Sequence, residues 1–369
     1  MKYIVASRKV QNAGGTPVSW TDHDVTELKR EIEPLIGDSG FEIRSVRNQT
    51  VLLHPNLVRP HRNRPASFTD PRLILAVAEY LLDHGARAVE IGENPGFEYA
   101  ARDAFREAGL AEPLKRRGVS IRYFDEEDWI DVDNPDARLY HRIRVSKAVL
   151  DADVFVNIPK MKTHMLTGVS LSIKNLLGMI HDDDRQIFHR NDIADKVVDL
   201  LFVRPPDLNI IDGLWAMEGQ APFHGDAVVS FNVLLAGMIA PVLDAVACRI
   251  MGFDPEEVPH VQLACHRHLD GWEGLDGVSI AGSDPGEITR RFKRPVLSSM
   301  AQFQGVECIE CGVCSGCLSA VRHSLDWLSA EGLISRLDKV TIVSGRPMPN
   351  RQTLTRWDGE LILFGNCAA

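Results

Sequence analysis

The stretch from Thr50 to Gly96 constrains the fold more than any other part of the chain. It opens with "TVLLHPNLV", a short apolar strand that stops at Pro55, because proline cannot donate to a sheet ladder. "TDPRLILAVAEYLLDHGARAVEIGENPG" then reads as a helix with Asp70 as N-cap, Pro71 in the first turn and Gly85 as the stop, followed by a strand over 86–91. Strand, helix, strand in that order make a β-α-β unit. The alternation continues with a helix around 98–108 and the strands "VSIRYF", "DVFVNIP" and "LNIIDG", then the helix "APVLDAVACRIMG" ended by Gly252. Near-continuous apolar strands separated by amphipathic helices predict an α/β fold, a mostly parallel sheet with helices on both faces. Upstream, Thr21 before "DHDVTELKREIEPLI" predicts a capped helix with Val25, Leu28, Ile32 and Leu35 on one stripe.

The composition shifts near residue 285, where "GEITRRFKRP" precedes a cysteine-rich segment. An α/β domain over 1–285 and a cysteine-rich region with terminal strands over 286–369 are therefore expected. With 44% hydrophobic and 25% charged residues and no long apolar run, nothing approaches a membrane span. The formal charge of −10 argues against nucleic acid as a partner, since that needs a net basic surface. The start, "MKYIVASRKVQNAGG", lacks the apolar stretch and cleavage site of a secretory leader, so cytoplasmic residence is expected.

Four of the seven cysteines, Cys308, Cys311, Cys314 and Cys317, fall at three-residue intervals in "VECIECGVCSGCLSA". Without an export signal such thiols point to a metal rather than to disulfides. A loop with this spacing wraps around a [4Fe–4S] cluster, as in bacterial ferredoxins. Zinc is the alternative, although zinc knuckles come as two pairs with a longer spacer. Cys308, Cys311 and Cys314 are the first three ligands on this reading, and Cys317 competes with the near-terminal Cys367 for the fourth position. Cys367 suits a buried thiol at the end of a last strand equally well.

A second constellation lies in "NIPKMKTHMLTGVSLSIKNLLGMIHDDDRQIFHR". The strand ends at Ile158, Lys160, Lys162 and His164 follow in a loop, and a helix beginning near Gly168 carries Lys174 and Asn175. Open α/β sheets bind ligands beyond the carboxyl ends of their strands, where helix amino termini and cations favour anions. A carboxylate or phosphate pocket is expected there, with Lys160, Lys162, His164 and Lys174 as catalytic candidates; a solvated loop with exposed lysines fits the spacing too. His54, Asn56, Glu93, Asn94, Asp212 and Glu218 follow other strands and join Asn175 as candidates for the same edge, as do Arg59, His61, Arg62 and Arg64. "HDDDR" over 181–185 reads as a solvated helix end rather than a magnesium site, and "CHRH" over 265–268 as an exposed helix terminus. No dinucleotide fingerprint, phosphate loop or nucleophile elbow is present.

Taken together, "VLLHPNLV", "TDPRLILAVAEYLLDHGARAVEIGENPG", "NIPKMKTHMLTGVSLSIKNLLGMI", "NIIDGLWAMEGQAP" and "LDAVACRIMGFDPEEVP" resemble the family of domain of unknown function 362, over about residues 49–260. Some members of that family carry iron–sulfur motifs. The Lys-x-Lys-Thr-His and Lys-Asn-Leu-x-Gly segments are its most distinctive, and the resemblance implies a role for Lys160, Lys162, His164, Lys174 and Asn175. Two positions depart from its pattern: His54 stands where lysine is usual and Ile239 where aspartate is typical, while Asp244 is retained.

Three functions follow from these readings. The first is a cytoplasmic iron–sulfur oxidoreductase that exchanges electrons with a small anionic substrate and needs a redox partner protein or a bound flavin. The second uses the cluster as a Lewis acid in a dehydratase or isomerase, with Lys or His as general base at a near-neutral pKa. The third is a non-catalytic electron carrier or a zinc-stabilised binding module.

Overall fold

The computed structural model describes residues 3–11, 13–58, 60–61, 63–96, 99–189, 191–296, 303, 305–345 and 359–365. The chain enters through β1 (Tyr3–Lys9) and the helix Asp22–Asp38, then the β-α-β unit formed by β2 (Thr50–Pro55), the helix Pro71–Asp83 and β3 (Ala88–Glu93). β4 (Ser120–Tyr123) follows, then the two-stranded pair β5 (Trp129–Asp133) and β6 (Arg142–Ser146), then β7 (Val154–Ile158). After β8 (Lys160–His164) and β9 (Gly168–Ser170) come β10 (Leu208–Gln220), β11 (His224–Val228), β12 (Val233–Gly237) and β13 (Val278–Gly282). The main sheet runs β13-β1-β12-β10-β7-β2-β3-β4, with β8, β9 and β11 branching from β10. Every pair from β10 to β4 is parallel, whereas β12 is antiparallel to both β10 and β1. The expected α/β class is what the chain adopts.

Alternation along β2 shows how the two faces are filled. Val51 and Leu53 join Leu28, Ile32, Leu73 and Val77 in one core, and Leu52 joins Phe155, Val198 and Leu243 in the other. Val25, Leu28, Ile32 and Leu35, the predicted stripe of the first helix, are all buried. Thr21 and Asp24 close its capping box, the Thr21 N–H donating to Asp24 Oδ2 at 2.7 Å. Asp70 caps the next helix by accepting from the Arg72 N–H at 3.0 Å, and Gly85 at φ +88° ends it in the left-handed region that glycine favours.

One segment differs from its expectation. Lys160–His164 is a strand rather than a loop, and all five of its residues are buried. Tertiary pairing explains this: Lys160 lies in register with Asp212 of β10, whose carboxylate compensates a buried ammonium that sequence pattern alone assigns to water. The turn through Gly168 likewise forms β9, and the helix carrying Lys174 starts only at Ser172.

A second sheet, β14 (Val306–Cys311), β15 (Val340–Gly345) and β16 (Glu360–Phe364), is parallel and is backed by the helix Ser315–Ala330. Val321, Leu325, Val340 and Ile342 form a small core of its own with Phe303. This unit packs onto the larger sheet's loops through the helix. Ser315 Oγ donates to the His189 carbonyl at 3.1 Å, and the rings of His224 and His323 approach at 3.0 Å. Among the described residues no helix is long and apolar enough to cross a membrane.

Candidate functional site

A cavity of about 490 Å³ opens where the carboxyl ends of the parallel strands meet the second unit. Asn56 follows β2, Glu93 ends β3 and Asn94 follows it, Lys162 and His164 come from β8, and Lys174 and Asn175 from the short helix Ser172–Asn175. These seven residues, each expected from sequence at this edge, thus share one cavity, where α/β folds place ligands.

Asp244 positions the short helix. Its two carboxylate oxygens accept the N–H groups of Ser172 at 2.8 Å and Ile173 at 2.9 Å, which are otherwise unpaired donors of a first turn. Burial nevertheless pushes the Asp244 carboxyl up to about 7. The floor is built from amides. Lys162 Nζ donates to Asn56 Oδ1 at 2.7 Å and to the Ser67 carbonyl at 3.0 Å. Asn56 Nδ2 donates to Asn175 Oδ1 at 2.9 Å, Asn175 Nδ2 to Asn157 Oδ1 at 2.8 Å, and Asn157 Nδ2 to Asn209 Oδ1 at 2.9 Å. Gly178 closes the floor, since a Cβ there would lie 2.1 Å from Glu93 Oε1 and 2.6 Å from His54 Cε1.

The walls are cationic. Burial pulls both the Lys162 and Lys174 ammonium groups down to about 7, with Lys174 the next influence on Lys162 and Arg185 on Lys174. No hydrogen bond or ion pair of Lys174 occurs among the described residues, although its side chain is only 8% exposed. Burial drives Glu93 the other way, up to about 8 against the opposing pull of Arg185, and its Oε2 has no hydrogen-bond partner among the described residues. Glu93 is therefore mostly protonated at pH 7 and offsets little of the positive charge of Arg185 and the two lysines. Burial, with Lys174 as the second cause, holds His164 well below the usual imidazole range. Its Nδ1 accepts the Leu166 N–H at 3.1 Å, which assigns the proton of the neutral ring to Nε2.

Other expected residues lie elsewhere. Lys160 is locked to Asp212 at 2.9 Å, both side chains fully buried; burial pushes the Asp212 carboxyl up while Lys160 opposes it. Asp212 also accepts the Asp70 N–H at 2.7 Å, so this pair braces the helix start at Pro71. His54 is buried behind the cavity, with Nδ1 3.0 Å from the Gly92 carbonyl and Nε2 3.1 Å from that of Asn175. Glu218 faces the segment after the last helix of the large unit, accepting from Arg290 at 3.3 Å and from the Lys293 N–H at 3.0 Å. Of the basic loop, Arg64 donates to the Phe223 carbonyl at 3.1 Å, and Arg59 and Arg62 lie outside the described residues.

Sequence reasoning missed Arg185 and His189, which line the same cavity from "HDDDRQIFHR". Their four-residue spacing on a helical turn was the available signal. Arg185 donates to the carbonyls of Asn94 and Leu177, both at 2.7 Å, while burial holds His189 down to about 3. Met165, Leu166, Leu177, Pro222 and Phe223 give the cavity an apolar side.

The four closely spaced cysteines divide into two pairs. Cys308 and Cys311 lie on β14, in register with Ile342 and Gly345, and an odd separation sends strand side chains to opposite faces. Cys314 is the N-cap of the helix Ser315–Ala330 and Cys317 its third residue, and both line the cavity. Among the described residues no three His, Cys, Asp or Glu side chains form a group that could hold a metal ion. Cys367 lies outside the described residues.

Comparison with known proteins supplies a family and no reaction. Residues 51–249 match the family described as Domain of unknown function (DUF362). Thylakoid-associated protein sll1697 of Synechocystis sp. is 30% identical over 241 residues, 64% of this chain and 72% of that one. The lactate racemase apoprotein from Thermoanaerobacterium thermosaccharolyticum aligns with a TM-score of 0.41 at 10% identity, over 93% of this chain and 69% of that one. A protein from Thermotoga maritima aligns with a TM-score of 0.30 at 12% identity, over 55% and 53% of the two chains. Neither structural likeness is close enough to carry an argument.

Proposed function

The chain belongs to the family of domain of unknown function 362, and from that premise we propose that it is an enzyme that binds a small organic anion and moves a proton on it. One observation carries the reading: Lys174, buried, unpaired among the described residues and pulled down to about 7, faces a cavity in which Glu93, the one carboxyl group among the described lining residues, is pushed up to about 8. An amine poised near the working pH is an efficient general base. A carboxyl group kept neutral by burial donates a hydrogen bond instead of repelling an anion.

In this reading Lys162 and Arg185 hold the substrate carboxylate by charge. Neutral Lys174 takes a proton from the carbon beside it. Glu93 and the Nε2–H of His164 donate hydrogen bonds to the oxygen on which negative charge develops. Returning the proton to either face would complete an isomerisation, and expulsion of a neighbouring group would complete an elimination. The test is hydrogen exchange. Small carboxylates that raise the thermal midpoint are incubated with protein in D2O and followed by proton NMR. Loss of the signal from the carbon next to the carboxylate is expected, along with its absence in Lys174→Met. Binding without exchange for every such ligand would remove the proton-transfer assignment.

The iron–sulfur oxidoreductase remains a second reading because Cys314 and Cys317 face the same cavity. A cluster or zinc ion would draw on these two from the cavity side, with Cys308 and Cys311 offered by β14. Iron, sulfide and zinc analysis of anaerobically purified protein separates these cases. We further propose a cytoplasmic location. Recovery of the protein in a washed membrane fraction would count against that.

A further inference from the structure

Nothing in the proton chemistry above uses Cys314 and Cys317. They form a Cys-Ser-Gly-Cys turn between a strand and a helix, at the N-cap and third positions of a helix of 16 residues. Residues three apart on a helical turn are surface neighbours, with Cβ atoms about 5–6 Å apart. Cα atoms one helical turn apart fall inside the roughly 4.4–6.8 Å that a disulfide spans. Cys248 and Cys265, in contrast, are buried in the core of the larger unit, and Cys308 packs against the small core of the second unit. Among the described cysteines, Cys314 and Cys317 are the ones that line the cavity. A second observation points to a ligand there: unpaired Lys174, with 8% exposure, lines the same space.

We propose that Cys314 and Cys317 are a dithiol–disulfide couple that reduces a small anionic disulfide entering the cavity. One cysteine, as thiolate, attacks the nearer sulfur of the bound disulfide, forming a mixed disulfide and releasing the first small thiol with the proton that cysteine gave up. The second cysteine, again as thiolate, attacks the cysteine sulfur of that mixed disulfide, closing the Cys314–Cys317 bond and releasing the second small thiol with its own proton. Two electrons and two protons pass from the dithiol to the small disulfide. The first turn of a helix favours the negative charge that each attacking sulfur carries. The anionic character of the substrate rests on the reading of the cavity given above, and the thiol couple does not.

The experiment uses the full-length protein, reduced anaerobically and mixed with oxidised glutathione or with neutral bis(2-hydroxyethyl) disulfide. Iodoacetamide trapping and peptide mass mapping follow. The expected result is an internal Cys314–Cys317 link, formed about tenfold or more faster with oxidised glutathione, since a cationic cavity concentrates its anions. Added sodium chloride should narrow that difference while the link still forms, and Cys317→Ser should stop at a glutathione adduct on Cys314. Equal rates for the two disulfides through this pair would overturn the anionic substrate and leave the couple standing. Unchanged alkylation of Cys314 and Cys317, or four thiols retained on iron and sulfide, would overturn the couple itself. Mapping the wild-type protein needs no variant to fold.

Discussion

Lys160 and Lys162 sit two residues apart on β8 and have opposite surroundings: Lys160 Nζ is 2.9 Å from the Asp212 carboxylate, whereas Lys162 Nζ donates to the neutral oxygens of Asn56 and Ser67. The first is an ion pair that braces the fold. The second keeps its charge available to the cavity. Replacing Lys160 by Met strands the Asp212 carboxylate in the core and should cost about 3–5 kcal/mol. Lys162→Met leaves only amide and carbonyl oxygens without a donor and should cost about 1–3 kcal/mol. Urea denaturation of the two variants measures the difference, and equal losses would mean that the pairing is not what separates them.

Lys174→Met should raise stability while removing function. A buried cation with no partner among the described residues is a cost to the fold, and an apolar side chain of similar length relieves about 1–4 kcal/mol of it. Thermal unfolding and the hydrogen-exchange assay on the same preparation check both halves. A destabilised variant that still exchanges the proton would contradict the assignment.

Anion affinity should fall as pH rises above neutrality. In the free protein Lys162, which holds the anion by charge, sits at about 7, and a bound anion raises it, so binding takes up a proton. The binding energy is complete below about pH 7 and is lost as pH climbs through the higher pKa of the complex. Glu93, at about 8, ionises over the same interval and adds repulsion in the same direction. The slope is up to about tenfold per pH unit for each proton taken up. Isothermal titration of one ligand from pH 6 to 9 in buffers of different ionisation enthalpy reads both the slope and the uptake; affinity that rises with pH would refute the charge assignment.

Asp244→Asn should loosen the helix Ser172–Asn175 from a distance. The amide offers one acceptor where the carboxyl group offers two, so either the Ser172 or the Ile173 N–H loses its partner, at about 1–3 kcal/mol. Hydrogen exchange at these two amides should quicken, and anion affinity should weaken with them. Unchanged exchange would show that Asp244 does not hold the turn.

The two β-strands around the helix Pro71–Asp83 and the helix itself were legible because cap, stop and apolar stripe agree locally. Asn56, Glu93 and Lys174 could be placed at a common edge because a parallel sheet gathers the carboxyl ends of its strands. Lys160 could not be told from Lys162, since what separates them is Asp212, 52 residues away. His54 shares the first strand with the site yet turns towards backbone carbonyls behind it, and Glu218 leaves the site for Arg290, choices made by distant partners. The meeting of Cys314 and Cys317 with Lys174 depends on how two units pack, which no local pattern encodes.

The chain of asparagines from Asn56 through Asn175 and Asn157 to Asn209 has a consequence for how the site behaves in changing surroundings. A primary amide neither gains nor loses a proton in water's ordinary range. Beneath walls whose lysines and carboxyl group all change charge within about one unit of neutrality lies a base that carries no titration of its own. The floor can keep its shape while the walls shed their positive charge, so acidity acts on this cavity as a dial on its voltage and leaves its dimensions alone.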